Sequence, residues 1–361
     1  MSTSESEALI TEIERLREAI VGLRPIEASD EEPPLRSVAR HDISESKKPK
    51  VSGKGKGPIL KLRRTLRGSC GKIYAMQWAS EGDRLLSASQ EGRGRLIVWN
   101  AMSAKMLLTV PLQSSWVMSC AYAPSLKFIA GGGLDNKVSV YDADLEKEYK
   151  GDRKMLAELN GHEGFISDCK FLSNTQMLTA SADSTLLQWD IERQRPINEF
   201  IGHDSDVMAC ALINKSDVFV SGAGDMRNKL WDLRMHNSCV MTFHGHESDV
   251  NSVDMFPNGK AFISGSDDMT VQLFDIRACR QIQTLTDLKF NASVSSVAMS
   301  RSGRYVFAGY DDRRWRMWDT VSGEILQTYD HDLRVSCVAV QPQGTALCSG
   351  SWDSSLKIFS S

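Results

Sequence analysis

The sequence predicts an all-β fold, seven four-stranded blades set radially as a propeller, and three observations predict it. Seven segments close on an aromatic residue, Trp99, Tyr141, Trp189, Trp231, Phe274, Trp318 and Phe359, at spacings of 42, 48, 42, 43, 44 and 41 residues. Six of the seven carry an Asp six positions upstream, namely Asp135, Asp183, Asp225, Asp268, Asp312 and Asp353. From Leu60 onward the apolar residues follow the two-residue period of half-buried strands. A period of about 40–45 residues is one four-stranded unit, and only the stacking of such units buries their faces.

Residues 1–24 read differently. Leu9, Ile13, Leu16, Ile20 and Leu23 are spaced 4, 3, 4 and 3 apart, an a/d seam flanked by Glu12, Glu14, Arg15, Arg17 and Glu18, and Pro25 stops the helix. Such a helix either docks on its own domain or forms a two-stranded coiled coil with another chain. The coiled coil is preferred, because a lone helix of some 20 residues is marginal in water and blades already bury their own faces. Residues 25–60 form a polar linker ending in Lys47-Lys48-Pro49-Lys50-Val51-Ser52-Gly53-Lys54-Gly55-Lys56-Gly57-Pro58. That composition reads as a flexible tether, with attraction to anionic lipid or an acidic protein patch, or nuclear targeting, as alternatives.

Residues 61–361 carry the propeller. The last strand ends at Phe359, two residues before the final Ser361, so the seventh blade lacks an outermost strand. Residues 61–67 precede the first blade and can supply it, closing the ring and removing both open edges. In blades three to five, Gly161-His162, Gly202-His203 and Gly245-His246 stand 27 to 29 residues before the closing aromatic. A buried His needs partners for its ring nitrogens. Asp183, Asp225 and Asp268 can accept from it, and the Trp indole can donate to a hydroxyl such as Thr179 or Ser264. His162, His203 and His246 are therefore structural, and the repeated Asp residues belong to the turns. The His244–His246 pair is a weak metal signal for the same reason.

Blade two replaces Gly-His with Ser114-Ser115-Trp116. The turn position before the repeated Asp reads Leu134, Ala182, Gly224, Asp267, Asp311 and Trp352, so Leu134 and Trp352 stand where other blades have small or acidic residues. Trp116, Trp352 and Leu134 should converge on one rim with Lys72, Tyr74, Phe165, Asp206, Met208 and Asp249 as a protein-binding hot spot.

Composition removes other classes. A net charge of −3 over 361 residues gives no global field for nucleic acid. Eight scattered cysteines without a C-x-x-C pair suit a reducing compartment rather than a disulfide framework or zinc site. The N-terminal Met1-Ser2-Thr3-Ser4-Glu5 lacks the order of a signal peptide, and no apolar run approaches 18 residues, so membrane attachment is expected only through a partner. Gly68-Ser69-Cys70-Gly71-Lys72-Ile73 is too short for a phosphate loop and puts Ile73 where Mg²⁺ would need a hydroxyl. Gly131-Gly132-Gly133 has no helix after it, and neither a nucleophile elbow nor H-E-x-x-H occurs. No catalysis, cofactor or metal is expected.

From residue 61 to 359 the chain resembles the beta subunits of heterotrimeric G proteins, members of the WD40 repeat family. The words that carry the resemblance include Arg63-Arg64-Thr65-Leu66-Arg67-Gly68, Lys72-Ile73-Tyr74-Ala75-Met76, Ser114-Ser115-Trp116-Val117-Met118, Gly132-Gly133-Leu134-Asp135-Asn136, Gly245-His246-Glu247-Ser248-Asp249 and Gly350-Ser351-Trp352-Asp353-Ser354. The resemblance implies an obligate dimer with a gamma subunit through the N-terminal coiled coil. It also implies binding of a GDP-loaded alpha subunit, and regulation of effectors by the released face downstream of a G protein-coupled receptor. A prenylated gamma subunit would hold the complex at the inner face of the plasma membrane. The family's alpha-contacting positions match here at Lys72, Tyr74, Ile97, Ser115, Trp116, Met118, Leu134, Asn136, Asp206, Met208, Asp249, Asn251, Asp267 and Trp352, with Phe165 for the usual Tyr.

Departures stand beside the matches. Cys70 replaces Leu, Arg95 Lys and Glu163 Thr, and Ser69 takes the place of the first blade's His. Two extra residues in Glu91-Gly92-Arg93-Gly94-Arg95 lengthen the middle turn of blade one. Asp312-Arg313-Arg314-Trp315-Arg316 makes blade six unusually basic; lipid headgroups, an unusual effector or cation–π packing on its own Trp are the readings open to it. A general WD40 scaffold with an unrelated helical partner is the competing function.

Overall fold

The computed structural model describes residues 57–145, 153–213, 216–235, 238–287 and 291–361. The predicted coiled-coil residues Leu9, Ile13, Leu16, Ile20 and Leu23, and all of the linker before Gly57, lie outside the described residues. What is described is all β: seven antiparallel four-stranded sheets, six of them running from an innermost to an outermost strand in chain order.

Blade one comprises Ile73–Trp78, Arg84–Ser89, Arg95–Asn100 and Lys105–Pro111, and the next five repeat its plan. Blade seven is composite. Val335–Val340, Leu347–Ser351 and Ser355–Ser360 come from the end of the chain, and Lys61–Arg67 pairs antiparallel on the outside, with Leu66 opposite Leu356. Arg63 fastens this strand by donating from Nε to Ser360 Oγ at 2.9 Å. Joining the two ends of the chain leaves no blade with an unpaired outer position.

The core is not a central cluster but seven wedges, one between each pair of neighbouring blades. Between blades seven and one, Leu66, Ile73, Leu85, Trp99 and Leu356 pack together, and Leu86, Leu96, Val117, Ile129 and Tyr141 fill the next wedge. The closing aromatics are all buried, six of them at 0–2% exposure. Each fully buried side chain of this size stabilises the ring by about 1.5–3 kcal/mol.

In blade three the polar chain predicted from the sequence is complete. The Asp183 carboxylate can only accept, so His162 Nδ1 donates to Asp183 Oδ2 at 2.7 Å. Thr179 Oγ1 then donates into His162 Nε2 at 2.7 Å and accepts from Trp189 Nε1 at 2.8 Å. Blade four repeats it with His203, Asp225, Ser221 and Trp231. Blade five keeps His246 on Asp268 and Ser264 at 2.7 Å each, but Phe274 has no N–H, so no indole reaches Ser264 as expected; Asn228 Nδ2 donates there instead, at 3.1 Å. Burial pushes the Asp268 carboxyl up, yet the hydrogen bonds from His246 and Thr270 outweigh it and hold it at about 2. Asp183 and Asp353 are held down in the same way.

Blade seven holds a histidine that the sequence reading missed. His331 Nδ1 lies 3.1 Å from Asp353 Oδ2, and its Nε2 lies 2.7 Å from Ser349 Oγ. Blade six substitutes an arginine. Arg316 is 1% exposed, pairs with Asp312 through Nη2, and lies 4.2 Å over the Tyr310 ring, whose hydroxyl accepts from Trp318 Nε1 at 3.0 Å. Trp315 is fully buried between Phe307, Tyr329 and Phe359. Headgroups or an effector cannot reach Trp315 or Arg316, and the ring that Arg316 covers is Tyr310 rather than Trp315. Asp135 in blade two is exposed, and blade two has Gln113 four residues before its innermost strand, where His162, His203, His246 and His331 stand in theirs.

Candidate protein-binding face

Three positions recur in every blade and meet at one mouth of the central channel. The first is the residue preceding the innermost strand: Lys72, Trp116, Phe165, Asp206, Asp249, Ser293 and Arg334. The second follows the next strand: Gln90, Leu134, Ala182, Gly224, Asp267, Asp311 and Trp352. Main-chain bonds couple the two, with Gln90 N donating to Lys72 O at 2.8 Å, Leu134 N to Trp116 O at 3.1 Å and Trp352 N to Arg334 O at 3.0 Å. Asp267 N bonds Asp249 O, and Gly224 N bonds Asp206 O, in the same manner. Backbone alone sets this register, so the side chains are free to vary.

The third position is a β-bulge. Each innermost strand begins with a buried residue and slips register at the next, between Ile73 and Ala75, Val117 and Ser119, Val207 and Ala209, Val250 and Ser252, and likewise in the other three blades. A bulge re-aims one side chain, and here the re-aimed residues are Tyr74, Met118, Ser167, Met208, Asn251, Ser295 and Ser336. Four of them stitch one blade to the next. Ser167 donates to Val207 O, Asn251 to Val294 O at 2.9 Å, Ser295 to Val335 O at 2.5 Å and Ser336 to Ile73 O at 2.6 Å. Tyr74, Met118 and Met208 cannot make that bond and present apolar surface instead.

At this mouth Tyr74 joins the two predicted tryptophans, its ring centroid 6.1 Å from Trp116 and 5.8 Å from Trp352. Lys72 Nζ lies 4.2 Å from the Trp352 centroid, and Arg334 lies 5.1 Å from it. Trp116 is 41% exposed and Leu134 48%. Burial raises the Tyr74 phenol, with the Arg334 charge opposing it, so the hydroxyl stays protonated; it donates to Gln90 Oε1 at 3.2 Å. A cavity of about 670 Å³ opens here, lined at its rim by Tyr74, Met118, Phe165, Met208, Arg334 and Trp352. Blades four to six turn the rim acidic with Asp206, Asp249, Asp267 and Asp311. Asn251 Nδ2 bridges to Asp267 Oδ1 at 2.6 Å, and Arg334 Nε pairs with Asp311 Oδ1 at 2.7 Å.

Of the predicted site residues, Lys72, Tyr74, Trp116, Met118, Leu134, Phe165, Asp206, Met208, Asp249, Asn251, Asp267 and Trp352 occupy these three positions. Ser115 and Asn136 flank them, Asn136 donating from Nδ2 to Glu163 O at 2.8 Å. Ile97 does not join. It is 0% exposed in the third strand of blade one, packed with Ile73, Leu85 and Leu356, because that strand is covered on both faces by neighbouring blades. Arg334 and Asp311 were missed; counting one residue back from the innermost strand of blade seven, as Lys72 is counted in blade one, finds Arg334.

Deeper in the channel the charges are used internally. Asp168 accepts from Lys170 Nζ at 2.9 Å and from Cys210 N at 3.1 Å, and Asp254 accepts from Met255 N at 2.8 Å and Met299 N at 2.7 Å. Among the described residues no group of His, Cys, Asp and Glu is placed to hold a metal ion, and no helix is long and apolar enough to cross a membrane.

Residues 38–360 match the family described as G protein beta WD-40 repeat protein. The chain is 46% identical over 312 residues to the guanine nucleotide-binding protein subunit beta of Dictyostelium discoideum, covering 86% of this chain and 87% of that one. It is 46% identical over 301 residues to the G(I)/G(S)/G(T) subunit beta-1 of Homarus americanus (83% and 87% covered), and 39% identical over 314 residues to the subunit beta of Zea mays (82% of each). A seven-bladed ring with an aromatic rim at one mouth, matched over most of its length to these relatives, places the chain in the family of G protein beta subunits, non-catalytic WD40 signalling proteins.

Proposed function

We propose that the channel mouth carrying Tyr74, Trp116 and Trp352 is where this chain binds a GDP-loaded alpha subunit, and that effectors take the same face once alpha has left. The observation behind the reading is the aromatic triplet, with Tyr74 touching both tryptophans and Lys72 over the second. Large rings held by packing lose little entropy on binding and tend to dominate interface energies. Met118, Leu134, Phe165 and Met208 extend the apolar part, and Lys72, Asp206, Asp249, Asn251 and Asp267 supply a charged and polar rim, the usual anatomy of a protein interface. The GTP chemistry then belongs to alpha, and this chain acts by covering the alpha segments that rearrange on GTP loading.

Dimerisation with a gamma subunit is assigned to the seam Leu9, Ile13, Leu16, Ile20 and Leu23, and attachment at the inner face of the plasma membrane to a prenyl group on that partner. Receptor coupling would run through the assembled trimer. Binding of alpha-GDP to the dimer by surface plasmon resonance tests the face. Trp352→Ala should weaken it by about 2 kcal/mol or more; unchanged affinity in a folded variant would remove the assignment. Ile13→Asp with Leu16→Asp should abolish co-purification of a small helical partner.

A further inference from the structure

Blades two to seven share one backbone device at the turn between their second and third strands. The residue after the repeated Asp is left-handed in all six, with φ of 60° at Asn136, 67° at Ser184, 63° at Met226, 67° at Met269, 70° at Arg313 and 63° at Ser354. In blades three to seven the Asp reaches across that residue and accepts the amide two positions on. Asp225 Oδ1 accepts from Arg227 N at 3.1 Å in this way, and Asp268 Oδ1 from Thr270 N at 2.9 Å. The carboxylate sets the conformation, so the side chain in between is left free to vary.

A left-handed residue other than Gly is strained, and Asn tolerates it best because its short polar side chain hydrogen-bonds locally. Asn136 does so by donating to Glu163 O. Met226 and Met269 have no donor to use, and they are 46% and 39% exposed. Each follows two residues after a second-position residue of the binding face, Gly224 or Asp267, so the two stand at the outer margin of that face in neighbouring blades. Strain and exposure both argue for a short polar residue there, and these two blades carry a long apolar one. The surroundings of Met269 are acidic. Glu247 N donates to Asp268 Oδ2 at 3.0 Å, which brings Glu247 to the same turn. Glu247, Asp249 and Asp267 are exposed, and none is ion-paired with a cation among the described residues.

We propose that Met226 and Met269 are a second pair of anchors for the alpha subunit, each packing against an aliphatic side chain of alpha that is carried beside a Lys or Arg. The proposal rests on the channel mouth being the alpha-binding face. Two features of the surface select that partner chemistry. The thioethers are continuous with the face through the turns they share with Gly224 and Asp267, and an unbranched, polarisable side chain adapts to an apolar one of varied shape. Glu247, Asp249 and Asp267 complement a cation and repel an acidic segment. A charge at the interface margin acts mainly on association rate and salt dependence, whereas a desolvated apolar anchor acts on dissociation.

The test measures association and dissociation of alpha-GDP on the intact dimer, together with urea unfolding of each variant. Met226→Asn with Met269→Asn places in both turns the residue that blade two already has. The double variant should speed dissociation about tenfold, while its urea midpoint stays level or rises because the strain is relieved. Met235→Asn removes an equally exposed methionine, 48% exposed at the opposite end of blade four, and should leave the kinetics unchanged. Glu247→Lys should slow association about threefold at about 50 mM salt and return towards wild type at about 300 mM. Wild-type dissociation in the double variant, with Trp352→Ala weakened, would overturn the second anchor and leave the face standing. A lowered urea midpoint would make the two methionines structural and overturn it, as would an equal loss in Met235→Asn. Association of Glu247→Lys that matches wild type at both salts would remove the cation from the partner's description. Full affinity in Trp352→Ala would sink the face, and this inference with it.

Discussion

Replacing His331 by Ala should destabilise the ring more than replacing the corresponding His203 or His246, and the neighbours explain the order. The His331 ring is buried, with Nδ1 3.1 Å from Asp353 and Nε2 2.7 Å from Ser349. Without it, Asp353 keeps the Ser355 amide at 2.9 Å, the Ser355 hydroxyl at 2.6 Å and the Asp332 amide at 3.2 Å. Ser349 is 0% exposed and loses its partner, because the closing residue of blade seven is Phe359 and offers no N–H. In blade four, by contrast, Ser221 still accepts from Trp231 Nε1 at 2.8 Å, and in blade five Ser264 still accepts from Asn228 at 3.1 Å. A lost hydrogen bond to a charged group costs about 1.5–3 kcal/mol and an orphaned buried hydroxyl about 1–3 kcal/mol. His331→Ala should therefore cost about 4 kcal/mol, and the blade-four and blade-five variants about 1–2 kcal/mol less. Urea unfolding of the intact complex gives the totals, and hydrogen exchange of Lys61–Arg67, whose Arg67 pairs with Ser355, shows whether the loss starts at ring closure. Equal costs in all three variants, or exchange that rises uniformly round the ring, would refute the reasoning.

Other consequences are open to measurement. Arg316→Ala leaves Asp312 and the Tyr310 face without their partner in a buried site and should cost about 3–5 kcal/mol by thermal unfolding. Gly133→Ala puts a Cβ against the Trp116 carbonyl; a displaced Trp116 emission spectrum and weaker partner binding are expected. Acid should destabilise the fold in two stages. The carboxyls of Asp183, Asp225, Asp268 and Asp353 are held low in the folded chain, so their contribution is complete above the unfolded value of about 3.9 and is lost as pH falls towards the folded ones. Burial lowers His331 despite the opposing Asp353 bond, so the unfolded chain takes up that proton first and stability begins to fall below about pH 6.5. Melting temperature against pH checks both stages, and the upper one should vanish in His331→Ala.

Much of the architecture is legible because the repeat is written in residues whose burial is obligatory. An aromatic closing every third strand and an Asp six positions before it leave little freedom once blades must stack. The binding face is legible for a different reason: Trp116, Leu134 and Trp352 break the small, polar pattern of their positions, and each break is visible in one sequence. His331 was missed because Asp330 precedes it in place of Gly, although it lies 22 residues before its Asp, the separation seen for His203 and His246. Ile97 was misplaced because likeness to a family carries a position across without its solvent exposure. Arg316 was unreadable for a related reason. Within Arg313-Arg314-Trp315-Arg316 nothing local says which charges face inward; a carboxylate and a phenol from the preceding turn and strand decide it.

The division of labour among the bulge residues explains how one face can bind protein while the ring stays rigid. Where the bulge carries Ser or Asn, its side chain bonds the next blade's first carbonyl, as Ser336 does across the junction of blades seven and one. Where it carries Tyr74 or Met208, that junction loses the bond and is held lower down, by Gln77 Oε1 accepting from Tyr122 N at 2.8 Å between blades one and two and by Asn228 Nδ2 donating to Ser264 Oγ at 3.1 Å between blades four and five. The apolar residues therefore sit where inner bonds have already secured the blades, and their side chains can be given to a partner at small cost to the ring. Converting Met208 to Ser would add the missing bond to Val250 and remove an anchor, so it should raise stability while lowering affinity. Both changes in the same direction would show that the stitch and the binding surface are one function rather than two.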